Sequence, residues 1–294
     1  MKISLYTQIA PRLEVFFLEE WISHNLMIGV DKIFIYNNGF FSNDVYGRGR
    51  VWKKKPYINY FFEYSDEEIT EKLKNVINKF GDVVSLVNWS PLECGNAGTF
   101  FCQTKGYKHC VYNNKSDWWI CIDPDEYILS KKYMSIREFI CNQDTERYKS
   151  FVLRQRICGE RILNEPIRGV TKSANKPHSG SVVGNTKTII CNQIKKFSQH
   201  QPKPLIGETK IVENKDLLYN HYRGCLGVMK TREEFEKKMS RVCVSHNYDM
   251  TDFLKKHETN LKYTEYCDAE ISEIVTEHIQ NTFRIFKGGQ HDNS

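Results

Sequence analysis

Two periodicities, that of a strand and that of a helix, take turns along the first half of this chain. Ile3 to Ile9 (ISLYTQI) reads as a strand. From Pro11, a residue suited to the first turn of a helix, apolar side chains fall at Leu13, Phe16, Phe17, Trp21 and Ile28, close to helical spacing. Lys32 to Tyr36 (KIFIY) is a second strand, closed by the turn signal Asn37, Asn38, Gly39. A loop rich in Gly, Asn and Arg runs to about Pro56, followed by a short strand at Ile58 to Phe62. Ser65 with Glu68 three residues on is a capping box, which predicts a helix to about Phe80. Val83 to Val87 is a strand, residues from about Asn96 to Asn114 suit a helix, and Trp118 opens another strand.

This alternation predicts an α/β fold with a parallel, doubly wound sheet whose strands, covered on both faces, read as unbroken apolar runs. In such sheets ligands bind beyond the carboxyl ends of the strands, where Thr7, Gln8, Asn37 and the acidic end of the Trp118 strand all fall. After residue 150 the pattern changes to strands separated by long polar loops. These strands are Ser150 to Ile157, Lys187 to Cys191 and Leu217 to Tyr222. The stretch from Cys158 to Asn185 is long for a loop unless it closes over a site. Thr231 with Glu234 is a second capping box, starting a helix through about Val242, and two further helical segments, at about 250–266 and 268–287, finish the chain. No repeat, low-complexity tract or linker divides it. The expected organisation is one main domain over 1–245 and a helical C-terminal extension, 246–294, packed on the same domain.

Composition adds only a few constraints. With 294 residues, of which 40% are apolar, the chain can bury a substantial core. Ten cysteines are scattered with no CxxC pair, which points to reduced thiols, an intracellular setting and no structural zinc. No 18-residue apolar run and no signal-peptide pattern are present, so the expectation is a cytoplasmic protein without a transmembrane segment. The excess of 42 Lys+Arg over 36 Asp+Glu favours anionic partners: a nucleotide diphosphate, or an anionic lipid head group that leaves peripheral membrane contact open. Nucleic acid is not expected, since no recognised module supports it.

The chemistry concentrates in WWICIDPDEYIL, Trp118 to Leu129, where an apolar run stops at Asp123, Asp125 and Glu126. Carboxylate oxygens are hard ligands, so two of them one residue apart can hold Mg²⁺ or Mn²⁺ and leave the other positions to water and a bound phosphate. An isolated pair of this kind is also a common acidic turn, so the surrounding pattern decides.

That pattern consists of LEEWISHNLMIGVDKIFIYNNG (Leu18 to Gly39), then WWICIDPDEYIL, then His221 and Tyr222 ahead of a capped basic helix. In this order the motifs resemble glycosyltransferase family 92 and its family 2-like relatives, over roughly residues 3 to 245. The late block of the pattern is Lys187, His200, His221, Tyr222, Lys237 or Lys238, and Arg241. The resemblance implies a GT-A-like (Rossmann-like), mostly parallel sheet flanked by helices, with a helical tail. It implies a metal-dependent transferase that moves a sugar from a nucleotide-sugar donor, a UDP-sugar first, to a glycan, glycoprotein or glycolipid hydroxyl with inversion. One departure is Asn37, where the family carries Asp. A second is that the chain begins almost at its first strand, like a bare catalytic domain.

On this reading Asp125 is a direct ligand of Mn²⁺ or Mg²⁺, and Asp123 is a ligand or an anchor for the ribose and metal waters. Glu126 orients a ligand or caps the turn. His221 completes the metal site, with His200 its competitor; an imidazole ligand tilts the preference toward manganese. Thr7, Gln8, Asn37 and Glu20 meet the nucleotide, while Trp21 is expected in the core. Asn96, Gln103 and Lys105 reach the crevice. Lys237, Lys238 and Arg241 clamp the diphosphate, with 237 and 241 one turn apart on a single helix face. For the base, Glu160 ranks ahead of Glu165, both in the loop after the 150–157 strand. A metal-dependent phosphohydrolase or nucleotidyltransferase also places paired carboxylates at strand ends, and a non-catalytic nucleotide- or glycan-binding relative is a second alternative, which the intact DPDE argues against.

Overall fold

The computed structural model describes residues 1–9, 11–38, 64–89, 103–130, 132–158 and 186–222. Its elements in chain order are β1 (Ile3–Ile9), α1 (Pro11–Met27), β2 (Lys32–Asn37), α2 (Asp66–Asn78), β3 (Val84–Asn88), α3 (Gln103–Asn113), β4 (Trp118–Cys121) and β5 (Glu126–Leu129). There follow α4 (Ile136–Cys141), β6 (Tyr148–Cys158), β7 (Thr186–Cys191), β8 (Ile194–Lys196), β9 (Lys203–Pro204), β10 (Glu208–Ile211) and β11 (Leu218–Tyr222).

The main sheet runs β3-β2-β1-β4-β7-β6-β11-β5, with β10 beside β6, and β8 pairs with β9 separately. Its first four strands are parallel, as the alternation predicts. Both faces of β1 are covered, so all seven of its residues are buried. One face carries the larger core, which includes Leu18, Trp21 and Ile22 of α1 and Ile69, Leu73 and Val76 of α2. On the other face α3 closes over Tyr6, Phe34, Tyr36 and Trp119. α3 lies close because Gly106 has no side chain: a Cβ there would stand 2.4 Å from the Tyr6 hydroxyl. The capping box is present, with the Glu68 amide donating to Ser65 Oγ at 3.1 Å and the Ser65 amide to the Glu68 carboxylate at 2.6 Å.

The second half departs from a uniformly parallel sheet. β7 runs antiparallel between β4 and β6, and β5 runs antiparallel to β11, whereas β11 and β10 are parallel to β6. The strand opened by Trp118 stops at Cys121, ahead of the acidic residues, and a second, β5, begins beyond Pro124, whose ring nitrogen has no proton to give a ladder. The break sends β5 to the far end of the strand order. β4 and β5 are therefore neighbours in sequence but have β7, β6 and β11 between them, and the sheet curls so that the turn at 122–125 joins the two edges of the curl. α1 holds the far edge: Trp21 Nε1 donates to the carbonyl of Glu126 at 2.9 Å, and His24 Nε2 bonds to the carbonyl of Ile128 at 2.9 Å. Trp21 is thus a core residue, as expected, and also a support for the acidic turn.

α4, with Ser135 as its cap, and β5, β8, β9 and β10 were not anticipated. The strand expected at 58–62, the start of the helix expected from Asn96, the loop from Gly159 to Asn185, the capping box at Thr231 and the C-terminal helical segments lie outside the described residues. No helix among the described residues is long and apolar enough to cross a membrane.

Candidate active site

The curl brings side chains of four strands and one helix to the acidic turn. The amide of Glu126 donates to the Asp123 carbonyl at 3.0 Å, and the amide of Asp123 donates to Glu126 Oε2 at 2.8 Å, so Glu126 caps its own turn from a buried position. Lys187 of β7 is 1% exposed. Its ammonium stands 2.7 Å from Asp123 Oδ2 and 2.8 Å from Glu126 Oε2. Gln103, the first residue of α3, donates to Asp123 Oδ1 at 2.8 Å. Both oxygens of Asp123 are therefore occupied by protein donors.

Asp125 points the other way. Its Oδ2 lies 3.2 Å from Nε2 of His221 on β11. The imidazole is held on its other side by Gln155 of β6, whose amide nitrogen bonds Nδ1, with Glu126 Oε1 3.9 Å from the same nitrogen. The side chains of Asp125 and His221 are 31% and 22% exposed, open enough for a ligand to reach.

Electrostatics follow from this packing. Burial pushes the Glu126 carboxyl up to about 7, helped by the charge of Asp123 and opposed by Lys187. For Asp123, burial also works against the carboxylate, but the Lys187 ammonium outweighs it and holds the group below its ordinary range. Burial disfavours charge on Lys187, yet the two carboxylates reverse this and raise it well above the usual lysine range. Burial would lower His221, but the charge and hydrogen bond of Asp125 carry it to about 8. His200 moves the opposite way, lowered by burial and then by Lys187.

Among the described residues no group of three or more His, Cys, Asp or Glu side chains converges on a cation position. The Asp125 and His221 pair nevertheless suits one. Two neighbouring ligands of a first-row divalent cation stand about 3 Å apart when their bonds are ~2.1 Å. One carboxylate oxygen and one imidazole nitrogen, with the remaining positions left to phosphate and water, match the way Mg²⁺ and Mn²⁺ are held at phosphate sites, and the nitrogen favours Mn²⁺. Gln103 and Lys187 hold the two oxygens of Asp123. His200 bonds through Nδ1 to the Thr186 carbonyl at 3.1 Å and through Nε2 to the Gln199 amide at 3.0 Å, and no hydrogen bond joins it to Asp123 or Asp125.

The other expected residues divide into three groups. Gln8 and Asn37 lie at the carboxyl edge: Gln8 accepts from the Tyr6 hydroxyl at 3.2 Å, and Asn37 donates weakly to Asn88 at 3.4 Å. Thr7 is 1% exposed within the sheet, Glu20 is half-buried beside Trp21 on α1, and Lys105 is exposed on α3. Asn96, Glu160, Glu165, Lys237, Lys238 and Arg241 lie outside the described residues.

Residues 57–262, well over half of the chain, match the model of glycosyltransferase family 92. The chain belongs to that family. The family 92 match contains the acidic turn, Lys187, His200 and His221 and begins after the Leu18 to Gly39 block. The curled, mostly parallel α/β sheet is of the class expected from the sequence. Solved structures of similar shape include residues 1–349 of S. aureus TarS, with a TM-score of 0.37 and 12% identity over 99% of this chain and 74% of that one. A longer S. aureus TarS gives 0.35 and 11%, over 83% and 39%. UDP-glucose pyrophosphorylase from Acinetobacter baumanii gives 0.28 and 10%, over 88% and 99%. At these values none of the three carries an argument about this chain. No curated protein matches it significantly.

Two site residues had no role assigned from the sequence. Lys187 was part of the family 92 pattern without a task; the signal was a lysine in an apolar strand, TKTIIC, where a buried charge needs a partner. Gln155 stands between Arg154 and Arg156 in β6 and carried no signal of its own.

Proposed function

We propose that this glycosyltransferase takes its sugar from a nucleotide-diphosphate donor, a UDP-sugar first, and passes it to a hydroxyl of a glycan, glycoprotein or glycolipid, with inversion as the resemblance implies. The observation that carries the reading is the Asp125 and His221 pair, 3.2 Å apart, at the mouth of the curl beside a charge-compensated Asp123, Glu126 and Lys187 cluster. Asp125 and His221 would hold Mn²⁺ or Mg²⁺, which when bound neutralises charge on the departing diphosphate.

The chain's own groups do the positioning. Gln155 fixes the His221 ring, so that Nε2 faces Asp125. Lys187 and Gln103 fix Asp123, and Glu126 closes the turn that carries Asp125. Gln8 and Asn37 at the carboxyl ends of β1 and β2 are assigned to the nucleoside, in the crevice where such sheets bind ligands. Glu160, with Glu165 second, is assigned to accept the acceptor hydroxyl proton, and Lys237 and Arg241 to hold the diphosphate.

Calorimetry with a panel of nucleoside diphosphates and their sugars, with and without MnCl₂, tests this reading. Manganese-dependent binding of one nucleotide, with slow release of free nucleotide from its sugar, is the expected result. Absence of binding by every nucleotide to folded protein, with or without manganese, overturns it.

A further inference from the structure

Lys187 is the least exposed charge of the site, and the mechanism above uses it only as a prop. Its surroundings assign it a larger part. Two of its protons go to carboxylates of one turn, Asp123 at 2.7 Å and Glu126 at 2.8 Å. Those carboxylates are also held by donors of their own, Gln103 on Asp123 and the Asp123 amide on Glu126. Asp125, two residues from the one and next to the other, makes neither contact and faces His221. The turn thus carries three carboxylates, of which an internal ammonium neutralises part of the charge of two.

We propose that Lys187 is a positioning residue that acts as a built-in, non-exchangeable cation. It withdraws Asp123 and Glu126 from metal binding, leaves Asp125 with His221 as the protein ligands, and so makes the divalent ion and the nucleotide diphosphate bind tightly only together. This rests on the metal-dependent reading given above. Without Lys187 a metal ion would meet the combined charge of the turn and bind well alone, while a diphosphate would meet a more negative site. With Lys187 in place the turn attracts the ion less, and the ion's remaining charge is completed by the diphosphate. The attraction between buried charges a few ångströms apart is well above thermal energy even at an effective dielectric constant of about 20, so this balance is large enough to measure.

The test is calorimetric titration of MnCl₂ into the protein alone, and of UDP into the protein with saturating MnCl₂, for wild type, Lys187→Met and Lys187→Met with Glu126→Gln. Lys187→Met should bind Mn²⁺ at least about tenfold tighter and UDP at least about tenfold weaker. A residue that merely shaped the turn would weaken both, so the opposed signs separate the two roles. The double variant removes one of the two carboxylates left uncompensated and should return Mn²⁺ affinity toward wild type. With neutral groups at both positions, it also keeps the comparison available if the single variant does not fold. Mn²⁺ binding that is unchanged or weaker in Lys187→Met, or well below wild type in the double variant, overturns the proposal. If wild type binds neither Mn²⁺ nor UDP, the metal-dependent reading itself fails, which is a separable outcome.

Discussion

Asp123 and Asp125 stand one residue apart in sequence and have opposite commitments, so their alanine variants should differ in kind. Asp125→Ala removes a partly exposed carboxylate whose partner is His221, and should abolish manganese-dependent nucleotide binding while leaving the denaturation midpoint nearly unchanged. Loss of such an electrostatic partner typically lowers turnover by about 10² to 10³. Asp123→Ala leaves the buried Lys187 with Glu126 alone and should cost about 1.5–3 kcal/mol, the range for a hydrogen bond to a charged group, read as a lower urea midpoint. Equal midpoints for the two variants would contradict this division. The sequence located the acidic turn but not which acid is committed inward, because Lys187 lies 64 residues from Asp123 and only the folded sheet brings them together. Gln155 and His221 are separated in the same way, by 66 residues.

Elements fixed by local chemistry were legible, and those fixed by distant pairing were not. Ser65 with Glu68 marks the start of α2 because a capping box is complete within four residues. β5 was missed because EYIL is only four residues long and follows directly on the acidic turn, and its antiparallel partner β11 lies about 90 residues on. The placement of α3 is a similar case, since it depends on the contact between Gly106 and Tyr6 and delivers Gln103 to Asp123. In Gly106→Ala the new Cβ would stand 2.4 Å from the Tyr6 hydroxyl, a separation real structures do not tolerate, so the helix or the ring must move. Overpacking of this kind costs about 1–3 kcal/mol, and a displaced helix should also loosen Gln103 and weaken nucleotide binding. Adding Tyr6→Phe removes the offending oxygen and leaves Cζ of residue 6 at 3.3 Å and Tyr36 Cδ1 at 3.4 Å. It should recover most of both losses, apart from about 0.5–1.5 kcal/mol for the hydrogen bond to Gln8. Failure of the double variant to recover would mean that α3 is positioned by something other than this contact.

At the scale of the whole molecule the sheet is two working halves that share β4. The parallel half, β3-β2-β1-β4, ends in Gln8, Asn37 and Asn88. The curled half, β4-β7-β6-β11-β5, encloses Lys187, Gln155, His221 and Glu126. A parallel half was legible in the alternation of strands and helices, whereas the curl was not, because its antiparallel neighbours come from far along the chain. A donor that spans both halves should tie them together, and hydrogen exchange can read this strand by strand. MnCl₂ with UDP should slow exchange at the turn 122–126 and at the ends of β11, β1 and β2 alike, and should raise the melting temperature, since 100-fold saturation of a site adds about 2.7 kcal/mol of stability. In Asp125→Ala both effects should vanish together, because the nucleotide would lose the ion that joins it to the curled half. Protection confined to the turn and β11 would show that the ion binds without the nucleoside reaching β1 and β2, and Gln8 and Asn37 would then have to be given up as donor contacts.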